Sequence, residues 1–398
     1  MRSERGPGIL WLGAAIVFGF ASITVEPASA GAPLRGPEML VGHGYEYQAI
    51  AVVKAMLELA NVGKDDVVYD VYCGDGRVLW TAVKDFGAKR GVGMDSDPVC
   101  IRESKEDAAR FNVADRTTFL EGELLDADLR PASVVVCYIL PQWNLALRPN
   151  LFRDLKPGSR VVSHAFDMGD WQHDGFLRHK KARNNTVYLW IIPAPVGGTW
   201  EWTGPAKDRE AKWTLALEQE FQSVRGTLTV PGGPPVPIAD AKLKGRDFGF
   251  SATLPVDGQP VKITFSGTAN GDTIRGTQEW SGGPNPGKQE WTAARKAADL
   301  TGVWRIEAKP PQGEPFGGTL EIARKDWRLA ATYTANRDRK PVPIDAFYVW
   351  GSSIRFDLLG EKEAGPVLKG TFTGDGGAGT VRAKAGDPPC PWAARRVR

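Results

Sequence analysis

At 398 residues the chain is too long for one ordinary domain, so two or three are expected. Lys plus Arg number 50 against 47 Asp plus Glu, and the net charge of +3 carries no sign of a nucleic-acid binder. The four cysteines, Cys73, Cys100, Cys137 and Cys390, lack paired spacing, which argues against a metal cluster or a dense disulfide framework and reads as buried small apolar residues. Arg2 and Arg5 precede an apolar run from Ile9 to about Phe20, and Ala28 and Ala30 stand where a signal peptidase reads. Residues 1–30 therefore read as a secretory leader, with 31–45 as a linker. Extended to Val25, the run nears a membrane span of about 20 residues, so an uncleaved anchor is the alternative and the sole membrane contact. In either case the basic flank places the rest of the chain outside the cytoplasm, in the periplasm or cell envelope.

Residues 46–195 alternate between strand and helix periods. A helix is expected from Ala49 to Ala60, a buried strand at Val67–Val71, then a turn through Cys73-Gly74-Asp75-Gly76 into a helix over Val78 to Phe86. A second strand ends on Asp95, and Pro98 opens a helix towards Phe111. Further strands are expected at Thr117 to Glu123, Val134 to Leu140 and Arg160 to Phe166, the last two joined by a helix through Leu145 to Leu155. Phe176 to Lys181 and Thr186 to Ile192 make an antiparallel edge pair. This alternation predicts a doubly wound, Rossmann-like α/β sheet with its site at the carboxyl ends of the strands.

Strand, small-residue turn, helix, strand and acid, in that order, form a nucleotide-cofactor pattern. Asp70 before the turn and Asp75 within it are a poor setting for phosphate and tolerate a cation. A carboxylate at Asp95 can accept from both hydroxyls of a ribose, or else cap the helix at Pro98.

The same residues resemble a known family. Asp70-x-x-x-Gly74-x-Gly76 is similar to the Asp-x-Gly-x-Gly-x-Gly of the seven-stranded, S-adenosylmethionine-dependent methyltransferases. Met56-Leu57-Glu58-Leu59-Ala60, Tyr138-Ile139-Leu140-Pro141 and Leu155-Lys156-Pro157-Gly158 resemble the branch that includes lysine methyltransferases related to the ATP synthase c-subunit enzyme. The resemblance implies S-adenosylmethionine as cofactor, with Asp70 on its amino group, Gly74 and Gly76 along its tail, Asp95 on its ribose and Glu123 near its adenine. It also implies that Tyr138, after the fourth strand, contacts the methyl acceptor. His164 and Asp167 end the fifth strand nearby, where they can accept a proton or steer a cationic lysine, or where His164 serves as a hydrogen-bonded structural residue; Trp143 and Trp171 line the pocket or, as aromatic residues at this density more often do, fill the core. No metal is implied. Tyr72 departs from the pattern, because it stands where the family has its first Gly. A phenol there must swing away, form part of a redesigned pocket, or block it.

From about Val196 short alternating runs rich in Gly, Thr, Pro and Trp give an all-β signature. Gly198-Thr199-Trp200 is echoed by Gly302-Val303-Trp304, and Gly267-Thr268-x-x-Gly271-Asp272 by Gly370-Thr371-x-x-Gly374-Asp375. Trp291-Thr292-Ala293-Ala294-Arg295 is matched to Trp392-Ala393-Ala394-Arg395. Two copies, 196–297 and 298–398, are expected to form a meander, barrel or sandwich each. The opening Gly-x-Trp and closing Arg loosely resemble lipocalin-like barrels.

Three functions fit these observations. The first is a methyltransferase, on protein lysine or a small molecule, whose duplicated β region binds a partner or substrate. The second is an exported, non-catalytic binding protein with a degenerate methyltransferase fold altered at Tyr72. The third makes the β copies barrels for small apolar ligands. Retention of Asp70, Gly74, Gly76 and Asp95 favours the first.

Overall fold

The computed structural model describes residues 49–178, 186–206, 209–256, 258–282, 286–296, 299–308, 316–325, 328–336, 340–344, 346–351, 353–359, 364–382 and 389–397. The predicted leader and linker lie outside the described residues. Among those described, no helix is long and apolar enough to cross a membrane.

The first unit runs α1 (Ile50–Leu59), β1 (Val67–Val71), α2 (Arg77–Asp85), β2 (Arg90–Asp95), α3 (Pro98–Arg110), β3 (Thr117–Glu121), β4 (Val134–Cys137), α4 (Pro141–Asp154), β5 (Arg160–His164), β6 (Gly175–Arg178) and β7 (Thr186–Ile191). Its seven strands lie in the order β3-β2-β1-β4-β5-β7-β6. The first five are parallel, and β7 is antiparallel to both β5 and β6. Strand order reverses at β1 and β4, so a crevice opens above their carboxyl ends. The third and fifth strands end early, at Glu121 and His164, and two boundaries move further. The fourth strand stops at Cys137, and the helix expected from Leu145 begins at Pro141. Proline's fixed φ and missing N–H suit a first helical turn, so Pro141 starts α4 and draws Tyr138-Ile139-Leu140 out of the sheet.

All four residues of β4 are buried, as a central parallel strand covered on both faces requires. One face packs on α1, α2 and α3 through residues such as Leu57, Leu79, Val83 and Ile101. On the other face α4 contributes Leu147 and Leu151, and the cover is completed by Phe221, Tyr348 and Trp350 from the β region.

That region forms two nine-stranded antiparallel sheets with the same strand order. Each is an up-and-down meander whose first and last strands pair, Gly198–Ala206 with Gly287–Arg295 and Gly302–Ala308 with Cys390–Val397. Each sheet therefore curls into a barrel with one seam. Both carry the same closure. Trp200 Nε1 donates to the Val196 carbonyl at 2.7 Å and Trp304 Nε1 to that of Leu300 at 2.9 Å. The Arg295 guanidinium lies 4.4 Å from the Trp200 ring, and that of Arg396 lies 4.5 Å from Trp304. Arg396, not Arg395, is thus the counterpart of Arg295. Strand alternation decides this, because Trp392, Ala394 and Arg396 share one face.

The three units meet at a polar knot. Asp170 accepts from Arg148 Nη1 at 2.7 Å and from Arg355 Nη1 at 2.6 Å. Arg355 also reaches Glu220 at 2.9 Å, and Arg148 Nε donates to the Tyr348 hydroxyl at 2.9 Å. Both guanidiniums lie over the rings of Phe221 and Tyr348, at 5.0 to 5.8 Å. Burial alone would push the Asp170 carboxyl up, but the Arg355 and Arg148 charges outweigh it and bring it down to about 2.

Asp170→Asn is expected to destabilise the protein by at least about 1 kcal/mol, a modest figure because the carboxylate is half-exposed and screened. A carboxyl held below its ordinary 3.8 stabilises the fold above that pH and loses this contribution as the pH falls to about 2. Thermal unfolding should therefore show a gap between wild type and variant that is constant near neutrality and closes over that acid window.

Candidate active site

Asp70 lies in the middle of the sheet, opposite Gly93 of β2 and Val136 of β4, and is 5% exposed. The chain then enters the left-handed region three times in five residues, at Tyr72 (φ +72°), Gly74 (+53°) and Gly76 (+73°). The Met94 carbonyl anchors this turn to β2 by accepting from Tyr72 N at 2.8 Å and Cys73 N at 2.9 Å. Asp95 is fully buried and accepts from Gly74 N and Asp97 N, both at 3.0 Å. The cap of α3 is Asp97, whose carboxylate accepts from Val99 N at 2.8 Å ahead of Pro98. Asp95 is therefore no helix cap but the residue that ties the turn to the end of β2.

Gly76 also meets a packing need that the sequence reading did not name. A Cβ there would come within 2.8 Å of the Phe119 ring and 2.9 Å of Ser104 Cβ, so close packing of α2 on β3 and α3 requires glycine. Tyr72 in the left-handed region costs about 1–2 kcal/mol relative to glycine. Its ring packs against the cluster on the α4 face, and its buried hydroxyl lies by Ser96. Burial, then Glu123 and Asp95, push that phenol's ionisation up. Of the three fates open to this side chain, the ring is built into the wall beside the acids.

The turn is strongly electronegative. Asp75 is answered by Arg77, whose Nε lies 2.8 and 3.0 Å from its two oxygens. Burial pushes the Asp70 carboxyl well above the usual range, and Asp95 and Asp75 push it further. Burial, then Asp70 and Asp95, raise the Cys73 thiol, and burial and Asp70 raise that of Cys137, so both stay protonated. All four cysteines are buried and form no disulfide. Glu123 is exposed and leads into a short turn at Leu124–Asp126.

On the acceptor side, Tyr138 leaves the end of β4 and its ring lies 4.6 Å from that of His164, at the end of β5, tilted by 32°. His164 is buried. Asp167 is exposed, and its carboxylate accepts from Gly169 N at 3.0 Å in a local turn. Trp171 is fully buried against Phe152, Trp190 and Phe221 at the junction of the units. Trp143 packs on the α4-face cluster.

One participant escaped the sequence reading. Buried Asn144 donates to Ser163 Oγ at 3.2 Å and to the carbonyls of Phe166 and Asp167 at 3.3 and 3.1 Å, holding the loop after β5 against α4. Its signal was available, since Asn144, Leu147, Arg148 and Leu151 form one buried helical stripe. Among the described residues no group of His, Cys, Asp and Glu could hold a metal ion.

Residues 70–175 match the family model described as the ANTKMT methyltransferase domain. A protein-lysine N-methyltransferase of Saccharolobus islandicus is 40% identical over 142 residues, which are 35% of this chain and 88% of that protein. The chain belongs to the S-adenosylmethionine-dependent methyltransferases of this branch. An RNA methyltransferase from Salinibacter ruber, solved with S-adenosyl-L-homocysteine, is 43% identical and matches 36% of this chain and 92% of its own, at a TM-score of 0.35. Ribosomal protein L11 methyltransferase of Clostridium botulinum is 33% identical over 127 residues, 39% of its length. The methyltransferase's acid-lined turn suits S-adenosylmethionine, a sulfonium cation with a free amino group. Asp70 would meet the amino group and Asp95 the ribose, and the cofactor supplies a methyl group activated by positive sulfur.

Calorimetric titration should show Asp95→Ala weakening S-adenosylhomocysteine binding about ten- to a hundredfold, the loss of hydrogen bonds to a charged acceptor. Tyr72→Gly should tighten it several-fold by clearing the ring from beside Asp95. Because a bound cation favours ionised Asp70, S-adenosylmethionine affinity should rise with pH as Asp70 loses its proton, and Asp70→Asn should flatten that dependence.

Proposed function

We propose that this methyltransferase acts on the ε-amine of lysine in proteins. The observation that carries the proposal is the Tyr138–His164 ring pair where β4 and β5 end, in a chain 40% identical over 142 residues to a protein-lysine N-methyltransferase. A lysine must shed its proton before its nitrogen can attack a methyl carbon. Stacked against Tyr138, His164 is positioned to take that proton, while the Tyr138 ring offers a π-face to the alkyl ammonium as it enters. Asn144 keeps the loop after β5 in place, so the amine meets a fixed surface, and positioning supplies most of the acceleration. The near-neutral charge of the chain favours protein over RNA as substrate. The leader adds a second part to the proposal, that these substrates lie in the cell envelope.

Incubation of the whole chain with methyl-labelled S-adenosylmethionine and lysine-rich proteins should place label on lysine, mapped by mass spectrometry of peptides. His164→Gln should lower kcat at neutral pH by about a hundredfold or more, with less loss at alkaline pH where free amine is abundant. Label on RNA in preference to protein would overturn the assignment.

A further inference from the structure

The two β barrels share one strand order, so each is a control for the other. Register sets Gly276 opposite Trp291 in the first and Gly379 opposite Trp392 in the second. Two residues along the strand, the first barrel has Gln278 opposite Phe265 where the second has Val381 opposite Leu368. Likewise, two residues beyond the closing tryptophans, Trp202 faces Trp213 in the first barrel, whereas Ile306 faces Gly318 in the second. Val381, Ile306 and Gly318 stand at these positions in the second barrel, so the fold itself needs no polar side-chain atom there.

In the first barrel those substitutions leave a debt. Trp202 is 5%, Trp213 1% and Gln278 2% exposed, yet Trp202 Nε1, Trp213 Nε1 and Gln278 Oε1 have no hydrogen-bond partner. Buried polar atoms are normally paired, and two donors and an acceptor left together ask for a shared partner. Trp202 and Gln278 border a cavity of about 210 Å³ at the barrel mouth, lined also by Gly204, Glu210, Glu290 and Trp291 among others. Trp213 stands directly behind this wall, since a Cβ on Gly204 would sit 3.0 Å from its Nε1, and glycine leaves that short gap unfilled.

We propose that this mouth binds a neutral, polyhydroxylated ring of monosaccharide size. A hydroxyl both accepts and donates, so a single ligand satisfies the indole N–H groups and the Gln278 carbonyl. The Trp202 and Trp291 rings, 5.1 Å apart and inclined by 56°, are 5% and 4% exposed and form a rigid wall against which such a ring would rest. Glu210 and Glu290 accept further hydroxyl hydrogens and repel anions. A quaternary ammonium would suit the rings and acids but leave the indole N–H groups unpaired, and an apolar ligand would leave all three atoms so. The third sequence reading, a barrel for small apolar ligands, therefore loses to a polar one at this mouth.

The test is titration of the full chain with D-glucose, D-galactose, D-mannose and N-acetyl-D-glucosamine, by calorimetry and by the indole N–H resonances in NMR. Glucuronate and choline serve as charged comparators. Millimolar or tighter binding of a neutral sugar is expected, with movement of the Trp202 and Trp213 N–H signals. Gln278→Val, the residue of the second barrel, should weaken it about tenfold, and Trp202→Phe, which keeps a ring and deletes the donor, should weaken it to a similar degree. Trp202→Phe carries the test if Gln278→Val fails to fold. No binding of any of the four sugars, equal binding by the folded variants, or tighter binding of choline would each overturn the proposal.

Discussion

A parallel sheet has to be covered on both faces, and in this protein the cover on one face is borrowed. Helices α1 to α3 shield one side, but α4 and a short turn do not suffice for the other. Phe221 from the first barrel and Tyr348 and Trp350 from the second complete it. Their burial beside β4 and β5 fixes where both barrels sit, and the arginines of the polar knot, themselves 4% exposed at the side chain, set the angle of contact. The helix that receives this contact is also the one that follows Tyr138-Ile139-Leu140, so the acceptor loop and the barrels are mounted on the same rod.

At the cofactor end, charge rather than shape is the dominant theme. Three carboxylates gather around one turn with Arg77 answering Asp75, and the raised Asp70 carboxyl records the cost of that crowding. Such a site is poorly suited to phosphate and well suited to a cation, which agrees with the family to which the chain belongs. Tyr72 is an added expense, a bulky residue in a left-handed conformation. Its ring packs on the α4-face cluster and leaves Asp70, Gly74, Gly76 and Asp95 in place.

Much of this was legible in the sequence where contacts are local. β1, its turn, α2 and β2 emerge from periodicity because each lies within a few residues of its own signal, whereas the bond from Gly74 N to Asp95, across 21 residues, does not. The junction was not legible. Arg148 and Tyr348 lie 200 residues apart, and neither carries a pattern that distinguishes it from an ordinary surface arginine or core tyrosine. Arg395 was preferred to Arg396 because matching letters ignores the two-residue period of a strand. Trp171 stayed open between pocket and core because aromatic rings announce burial without saying against what.

The buried thiols have a consequence of their own. Oxidation proceeds through exposed thiolates, and all four sulfur atoms here are withdrawn from solvent, with Cys73 and Cys137 held protonated by burial. No cross-link has to form for this fold to close, and none is poised to form wrongly. The same chain can therefore mature in a reducing or an oxidising medium, and its thiol chemistry does not choose the compartment.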